Sequence, residues 1–459
     1  MTQLSKIARF SKVMVSKIIV NVLLILLFNS LGITQEIESK VDEYISAHIN
    51  NNTFSGSILI AQKGDIVMSK GYGMTNLELD VPNSPKTKYR LGSVSKQFAA
   101  MAIMQLQEKG LINVDDHLDK YISDYPNGNK ITLHHLLTHT AGIPNITDFP
   151  ELQKIKTLRS PLEKTIELFK NKPLEFTPGE RYKYSNSGYI LLGYIIEKVS
   201  GQSYEDYLQE NIFDPLNMKD SGYDHHRSLL KNRATGYCWG KDGIGNADYI
   251  DMSIPHAGGG LYSNVEDLYR WDRALYTDKL VTKSSIEKMF TPFLDNYGYG
   301  WQIEKVLNRK CIRHAGGIEG FQAQISRFVD DDVCIIALSN FEFAKVPTIC
   351  MDLAAIIFGE KYEIPAAQPV LKIDPGKIDD YVGTYEFEPD NILKVSKEDN
   401  RLLIAPPGQP LVEIFPMSEN KFLVKAFNAE LSFVRNNNDE VTELIFHVGG
   451  QDMRAKKIE

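Results

Sequence analysis

The stretch "LGSVSKQFAAMAIMQLQEKG", residues 91–110, places Ser93 and Lys96 three positions apart at the head of an apolar run. A serine alcohol is a weak nucleophile and needs a nearby base that is unprotonated near neutrality. Lysine serves as that base when burial or a neighbouring cation lowers its pKa. On a helix, residues i and i+3 are neighbours, so the two side chains would share a face. A serine at a helix start also has a free backbone N–H, since the first N–H groups of a helix lack partners, and such a group can bind an oxyanion. The competing reading makes Ser93 an ordinary helix cap. The same spacing recurs at Ser228/Lys231, Ser285/Lys288 and Ser418/Lys421, which are expected to be surface polar pairs. Spacing alone therefore does not choose.

Further candidates lie elsewhere in the chain. Tyr184 in "YKYSNSGYILLGY" offers a phenol that can share proton traffic if cations stabilise its phenolate, with Asn186 two residues on. Tyr-Ser-Asn recurs at Tyr262, where Ser263 with Glu266 reads as a capping box. In "RHAGGIEGF", residues 313–321, glycines let backbone approach a ligand, and the N–H of Gly317 could join that of Ser93 in an oxyanion hole. An ordinary Gly-rich turn with a surface His314 is the plainer alternative. His135 and His139 have the i, i+4 spacing of zinc ligands. However, Leu136 stands where the metalloprotease pattern needs Glu, and no acidic or Cys cluster completes a site. No metal is expected, and these histidines are expected to pack beneath the catalytic floor.

The elements that must position these groups follow from periodicity. "EIESKVDEYISAHI" reads as a helix, and "GSILIAQ-KGD-IVMSKGYG" as a hairpin. Helices are expected over "SKQFAAMAIMQLQEKG", "LHHLLTHTAG" and "SGYILLGYIIEKVSG", stopped by Gly110, Gly142 and Gly201. Near residue 320 strands return as "FQAQISRFV-DDD-VCIIALSN", followed by a last helix, "VPTICMDLAAIIFG". Strands at both ends and helices between predict an α+β domain whose N- and C-terminal strands share one antiparallel sheet. Residues 360–377 carry three prolines and read as a linker. Beyond it "YVGTYEF", "NILKVSK", "RLLIAP", "LVEIFP", "KFLVKAF", "ELSFVR", "TELIFHV" and "MRAKKI" are short strand-like runs, which predicts a small all-β sandwich or barrel over 378–459.

Bulk properties narrow the function. The 459 residues are 43% hydrophobic and 24% charged, a soluble globular profile, with a formal charge of -8 and no basic run. Nucleic acid is excluded as a partner on that footing. Residues 1–34 have a basic head (Lys6, Arg9, Lys12, Lys17) and a short apolar core broken by Asn21 and Asn29. That is the pattern of a secretory signal, shorter than a comfortable membrane span. The expectation is export to the periplasm or exterior, with membrane attachment only through an uncleaved leader. Cys238, Cys311, Cys334 and Cys350 have no CxxC spacing and are expected to be mostly buried free thiols.

Ser-x-x-Lys at 93, Tyr-x-Asn at 184 and His-Ala-Gly at 314, in this order, resemble the serine β-lactamase and penicillin-binding protein superfamily. Its motif set is Ser-x-x-Lys, Ser-Asp-Asn and Lys-Thr-Gly. The likeness is nearer to the class C β-lactamase branch, with its esterase, D-aminopeptidase and DD-peptidase relatives, where Tyr-x-Asn replaces Ser-Asp-Asn. "HHLLTHTAGIP", "FTPGERYKYSNSGY", "GGGLYSNVEDLYRW" and "YGYGW" extend it over roughly residues 40–358. The resemblance implies a β-lactamase-like domain over 35–359: an antiparallel sheet flanked by helices plus a mostly helical subdomain. By it, Ser93 is the acyl-accepting nucleophile, Lys96 and Tyr184 are its base system, and Gly317 is an oxyanion donor. Asn186 positions substrate or Lys96, and His314 and Gly316 lie on the substrate-binding edge. No cofactor is implied, and the partner is a small-molecule or peptide substrate. The C-terminal part, from "YVGTYEFEPDN" onward, resembles the lipocalin-like β domains appended to some members.

The sequence departs from the family where His314 and Ala315 replace the Lys and Thr that help hold a substrate carboxylate, which disfavours penicillin-like substrates. The expected function is an exported serine hydrolase cleaving a small ester or amide through an acyl-enzyme. The alternatives are a DD-peptidase acting on cell-wall peptide and a true β-lactamase. A non-catalytic sensor on the same fold would predict loss of Ser93, Lys96 or Tyr184, and all three are present.

Overall fold

The computed structural model describes residues 35–366, 376–388, 391–405, 411–427, 429–448 and 451–458. The signal-sequence expectation (1–34) and the middle of the expected linker lie outside the described residues. No helix among the described residues is long and apolar enough to cross a membrane.

Residues 35–50 form α1. The hairpin follows as β1 (Gly56–Gln62) and β2 (Asp65–Tyr72). Lys63 and Gly64 at its turn have φ of 54° and 85°, the pair of positive values that a tight two-residue hairpin turn demands. Four later strands, β3 (Gln302–Val306), β4 (Arg309–Ile318), β5 (Phe321–Phe328) and β6 (Val333–Ser339), complete a six-stranded antiparallel sheet. Its order is β3-β4-β5-β6-β1-β2. The expected union of N- and C-terminal strands is the β1–β6 pair, in register from Gly56 opposite Ser339 to Gln62 opposite Val333.

Side chains alternate across a strand, and both faces of this sheet are covered, which is why β1 and β6 are apolar over most of their length. Ile58, Ile60, Ile335 and Ala337 pack with Val41, Tyr44 and Ile45 of α1 and with Ile349 and Leu353 of α5 (Val346–Phe358). Leu59, Ala61, Ile336 and Leu338 face the other way, onto Phe98 and Met101 of α2 (Lys96–Glu108) and onto Trp271. Behind α2 the mostly helical subdomain is built around α4 (Asn186–Ser200), which is buried on nearly every side. Gly201 and Gly359 end α4 and α5 with φ of 73° and 71°, the left-handed geometry that glycine adopts without cost.

Two helices differ from expectation. The helix expected from Ser93 starts as a 3-10 turn, Gly92–Ser95, before turning α-helical at Lys96. The helix expected to run to Gly142 is α3 (Leu133–Leu137), five residues that stop well short of it. There the Thr138 hydroxyl donates back to the His134 carbonyl at 2.8 Å, and His139 takes a left-handed φ of 57°.

All eight C-terminal runs are strands, β7 to β14: Gly383–Glu388, Asn391–Glu398, Arg401–Ala405, Val412–Pro416, Lys421–Val424, Ala429–Arg435, Val441–Val448 and Gln451–Lys457. They close into an antiparallel barrel. Its interior is filled by side chains, among them Tyr381, Tyr385, Leu402, Ile404, Phe422 and Phe433. Cys311, Cys334 and Cys350 are buried free thiols and Cys238 is half-buried.

Candidate active site

Ser93 sits in the 3-10 turn, on the inner side of β4. Gly92 before it has φ of 50°, and a Cβ there would lie 2.7 Å from the Gly317 carbonyl oxygen. A Cβ on Gly316 would lie 2.1 Å from the Leu91 oxygen and 2.8 Å from the Ser93 nitrogen. Both positions exclude any other residue, so strand and turn meet backbone to backbone. The turn is anchored on its far side by the Leu91 N–H, which donates to the Leu261 carbonyl at 2.9 Å.

Ser93 is not a cap: neither the 3-10 turn nor α2 has a side-chain capping bond at its start. Its hydroxyl lies 2.9 Å from Lys96 Nζ and 2.7 Å from the Tyr184 hydroxyl. Lys96 is fully buried and reaches two more acceptors, Asn186 Oδ1 and the Gly258 carbonyl, both at 2.7 Å. Burial lowers the Lys96 pKa well below the ordinary lysine value, because an ammonium is costly in a dry site. Burial likewise pushes the Tyr184 phenol up, with the Ser93 hydrogen bond opposing it more weakly. A phenolate stabilised by cations, the condition set for proton sharing from sequence, is not the resting state.

Tyr184 and Asn186 are placed by the start of α4. The Ser185 side chain makes no capping bond there. Instead Asn145, from another loop, accepts from the Asn186 N–H at 2.9 Å and from its side-chain amide at 3.2 Å, leaving Asn186 Oδ1 for Lys96. His139 lies beneath, as expected for a floor residue. Its ring centroid is 4.2 Å from that of Tyr184, and Nδ1 accepts from the Ser185 N–H at 3.2 Å. His135 does different work, closing a capping box with Thr132 at the start of α3.

His314 is buried in β4, only 4% exposed. Its Nδ1 lies 2.5 Å from the Ala315 carbonyl and its Nε2 2.7 Å from the Tyr297 hydroxyl. A carbonyl only accepts, so Nδ1 carries the proton and Nε2 accepts from Tyr297. Burial, helped by the charges of Lys96 and Arg313, lowers the His314 pKa to about 3, so the ring is neutral at working pH. Arg313 is ion-paired with Glu304 on β3.

Ser93, Lys96, Tyr184 and Asn186 thus converge in one bonded cluster, with Gly316 and Gly317 against the serine turn and His314 alongside. The decoys lie elsewhere. Tyr262 pairs with Arg90 and Gly222 in a small three-stranded sheet. Its helix is capped one residue later than expected: Asn264 accepts from the Asp267 N–H, while Ser263 bonds Ser221. Ser285 is a correction, being buried and bonded to Glu108 rather than forming a surface pair with Lys288. Sequence reading gave no role to Asn145, Tyr297 or the Gly258 carbonyl. Gly258 and Tyr297 lie in the quoted stretches "GGGLYSNVEDLYRW" and "YGYGW", but a backbone acceptor has no residue signature.

Comparison with known proteins yields matches to both parts of the chain. A family model described as Beta-lactamase matches residues 39–348, and a second, described as a domain of unknown function (DUF3471), matches 367–457. Penicillin-binding protein 4* of Bacillus subtilis is 30% identical over 428 residues, 87% of this chain and 94% of its own length. The teichoic acid D-alanine hydrolase of Staphylococcus aureus is 26% identical, over 65% of this chain and 73% of its own. Among solved structures, the octameric penicillin-binding protein homologue from Pyrococcus abyssi aligns with a TM-score of 0.63 at 27% identity, over 92% of this chain and 99% of that one. A D-amino acid amidase from Ochrobactrum anthropi shares the fold at 21% identity, with a TM-score of 0.64 over 70% of this chain and 99% of its own.

Proposed function

Because the chain belongs to the β-lactamase family of serine hydrolases, we propose that it is an exported hydrolase that cleaves small esters or amides lacking a free carboxylate, through an acyl-enzyme on Ser93. One observation carries this reading: the Ser93 hydroxyl lies between Lys96 Nζ and the Tyr184 hydroxyl at 2.9 and 2.7 Å.

Counting protons fixes the direction of transfer. Asn186 Oδ1 and the Gly258 carbonyl can only accept, so a neutral Lys96 gives them its two N–H bonds and turns its lone pair to Ser93. Ser93 then donates to Lys96, and Tyr184 donates to Ser93. Lys96 takes the proton as Ser93 attacks the carbonyl, and Tyr184, neutral and adjacent, is the acid for the leaving group. A positioned acid or base of this kind contributes about 10²- to 10⁴-fold.

The oxyanion needs two donors. The Ser93 N–H is one. For the other, β3 pairs with β4 only as far as Arg313, so from His314 onward one edge of β4 faces no strand among the described residues. A two-residue connection joins Ile318 to its partner Phe321. Bonded and non-bonded pairs alternate in an antiparallel ladder, so Gly317 turns its N–H away from β5, toward Ser93. Each such donor is worth roughly 3–4 kcal/mol in a hydrolase transition state.

Charge supports this substrate class. With His314 neutral and fully bonded and Arg313 tied to Glu304, neither offers this edge a free cation to hold a carboxylate. Two relatives, a teichoic acid D-alanine hydrolase and a D-amino acid amidase, favour D-aminoacyl donors. The basic-then-apolar leader supports export. Intact-mass analysis after exposure to a D-alanyl ester, a D-amino acid amide, an acyl-D-Ala-D-Ala peptide and a penicillin tests the proposal. Acylation of Ser93 by the first two is expected. Acylation by the carboxylate-bearing pair alone would replace it with a DD-peptidase or β-lactamase reading.

A further inference from the structure

We propose that the C-terminal barrel is a positioning domain for the oxyanion strand and acts through one hairpin of the catalytic domain. The idea rests on the proposed acyl-enzyme at Ser93, with Gly317 as its oxyanion donor. The barrel interior is packed with side chains, so its outer surface is the part left to act.

That surface grips the hairpin of Tyr237–Gly240 and Gly243–Asn246. The Phe415 ring lies edge-on to Trp239 at 5.8 Å, and Lys425 Nζ sits 4.5 Å from the centre of each of these two rings. Arg401 donates to the Lys241 carbonyl at 3.1 Å and to Asp242 at 3.2 Å, and Lys241 pairs with Glu398 at 3.3 Å. These contacts fix the hairpin tip from the barrel side.

The base of the same hairpin fixes the end of β4. Trp239 packs edge-on against Phe343 at 5.3 Å, and the Tyr237 carbonyl accepts from the Glu342 N–H at 3.0 Å. Glu342 then reaches the turn after β4. Its carboxylate accepts from the Gly320 N–H at 2.8 Å, and its carbonyl accepts from the Gln322 amide at 2.7 Å. Gln322 is the partner of Gly317 across the strands, and a Cβ on Gly317 would come within 3.0 Å of its amide nitrogen. Gly236, one residue before the hairpin, wedges against the turn: a Cβ on Gly320 would lie 2.5 Å from the Gly236 Cα. Packed and bonded contacts therefore run without a gap from Phe415 and Arg401 to the backbone of Gly317. Close-packed elements move together rather than deform independently, so barrel docking sets where the Gly317 N–H points.

The test uses the full chain and three readouts: kcat and KM for a p-nitrophenyl ester, Ki for an arylboronic acid, and thermal unfolding. The boronate forms a tetrahedral adduct on the serine and probes the oxyanion site without turnover. Arg401→Ala, the pair Arg401→Ala with Phe415→Ala, and Glu342→Ala should each lower kcat, by about 10-fold for the pair. KM should stay within about twofold, since an interaction made only in the transition state is lost. The boronate Ki should rise by the same factor as kcat falls. Adding Glu342→Ala to the barrel pair should cost little more, because residues on one path are not additive. Lys397→Ala, whose partner is Asp379 in the short helix that precedes the barrel, should change nothing. Docking variants that stay folded and keep kcat and boronate Ki within about twofold of wild type would overturn the proposal. Should the pair lose its thermal transition, Arg401→Ala alone, at a partly exposed side chain, decides. Failure of the underlying reading looks different: the wild type itself would then neither bind boronate nor acylate at Ser93.

Discussion

The chain contains Tyr-Ser-Asn twice, each time at the start of a helix, and the two copies do opposite things. At 262–264 the tripeptide serves the fold. Asn264 caps its helix through the Asp267 N–H, Ser263 bonds Ser221, and Tyr262 pairs within a small sheet. At 184–186 the ordinary cap is missing. Asn186 turns its oxygen to Lys96 and Tyr184 turns its hydroxyl to Ser93, while Asn145 satisfies the helix N–H from outside. A side-chain cap is worth about 1 kcal/mol. The copy proposed for catalysis is thus marked by the local bond it forgoes, which the tripeptide itself does not reveal.

The largest expected contrast between the copies is in turnover. Tyr184→Phe and Lys96→Ala should each lower kcat/KM by about 10²- to 10⁴-fold, and Tyr262→Phe by less than about threefold. Steady-state kinetics with a p-nitrophenyl ester check this. Equal losses from the two tyrosine changes would mean the wrong copy has been assigned.

A second contrast concerns charge. The ester should be preferred to nitrocefin by roughly 10- to 150-fold in kcat/KM, the worth of a missing charge-assisted hydrogen bond. His314→Gln should leave the acidic limb of the pH profile where it is, because a ring whose pKa is about 3 does not titrate in the working range. Nitrocefin turned over as efficiently as the ester, or a limb moved by His314→Gln, would contradict this.

As the proposed base, Lys96 should supply the limb instead. Its pKa is depressed by burial, and only the neutral amine is a base, so kcat/KM should rise with pH through that lowered value. Stability follows the same sign. Between the folded pKa and about 10.4 the unfolded chain holds one more proton, so native stability should rise with pH across that window and fall as pH drops through it. Lys96→Met should flatten the rise, as read by denaturant unfolding at a series of pH values.

The smallest contrast is again between the copies. Asn264→Ala should cost about 1 kcal/mol of stability with kcat unchanged. Asn186→Ala should do the reverse, lowering kcat while moving the unfolding midpoint little, because its helix N–H is held by Asn145.

What was legible in the sequence, and what was not, divides along the same physical line. The barrel was readable run by run, because period-2 patterning and polar turns are local signals. Ser93, Lys96, Tyr184 and Asn186 were readable because their motifs occur in order. The early end of α3 was not, since it depends on His139 adopting a left-handed conformation under Tyr184. Nor was the burial of Ser285, whose partner Glu108 is 177 residues away. The cap at Asn264 displaced the one expected at Ser263 because a neighbouring Asn competes equally well for the role. The Gly258 carbonyl on Lys96 had no signature at all, being backbone.

The most direct measurement of the central claim is where a serine-directed fluorophosphonate lands. Peptide mapping of the labelled protein should find one modification, on Ser93, lost in Ser93→Ala and slowed by orders of magnitude in Lys96→Ala. Label on Ser228 or Ser285 with Ser93 untouched, or undiminished labelling of Ser93→Ala, would contradict the account.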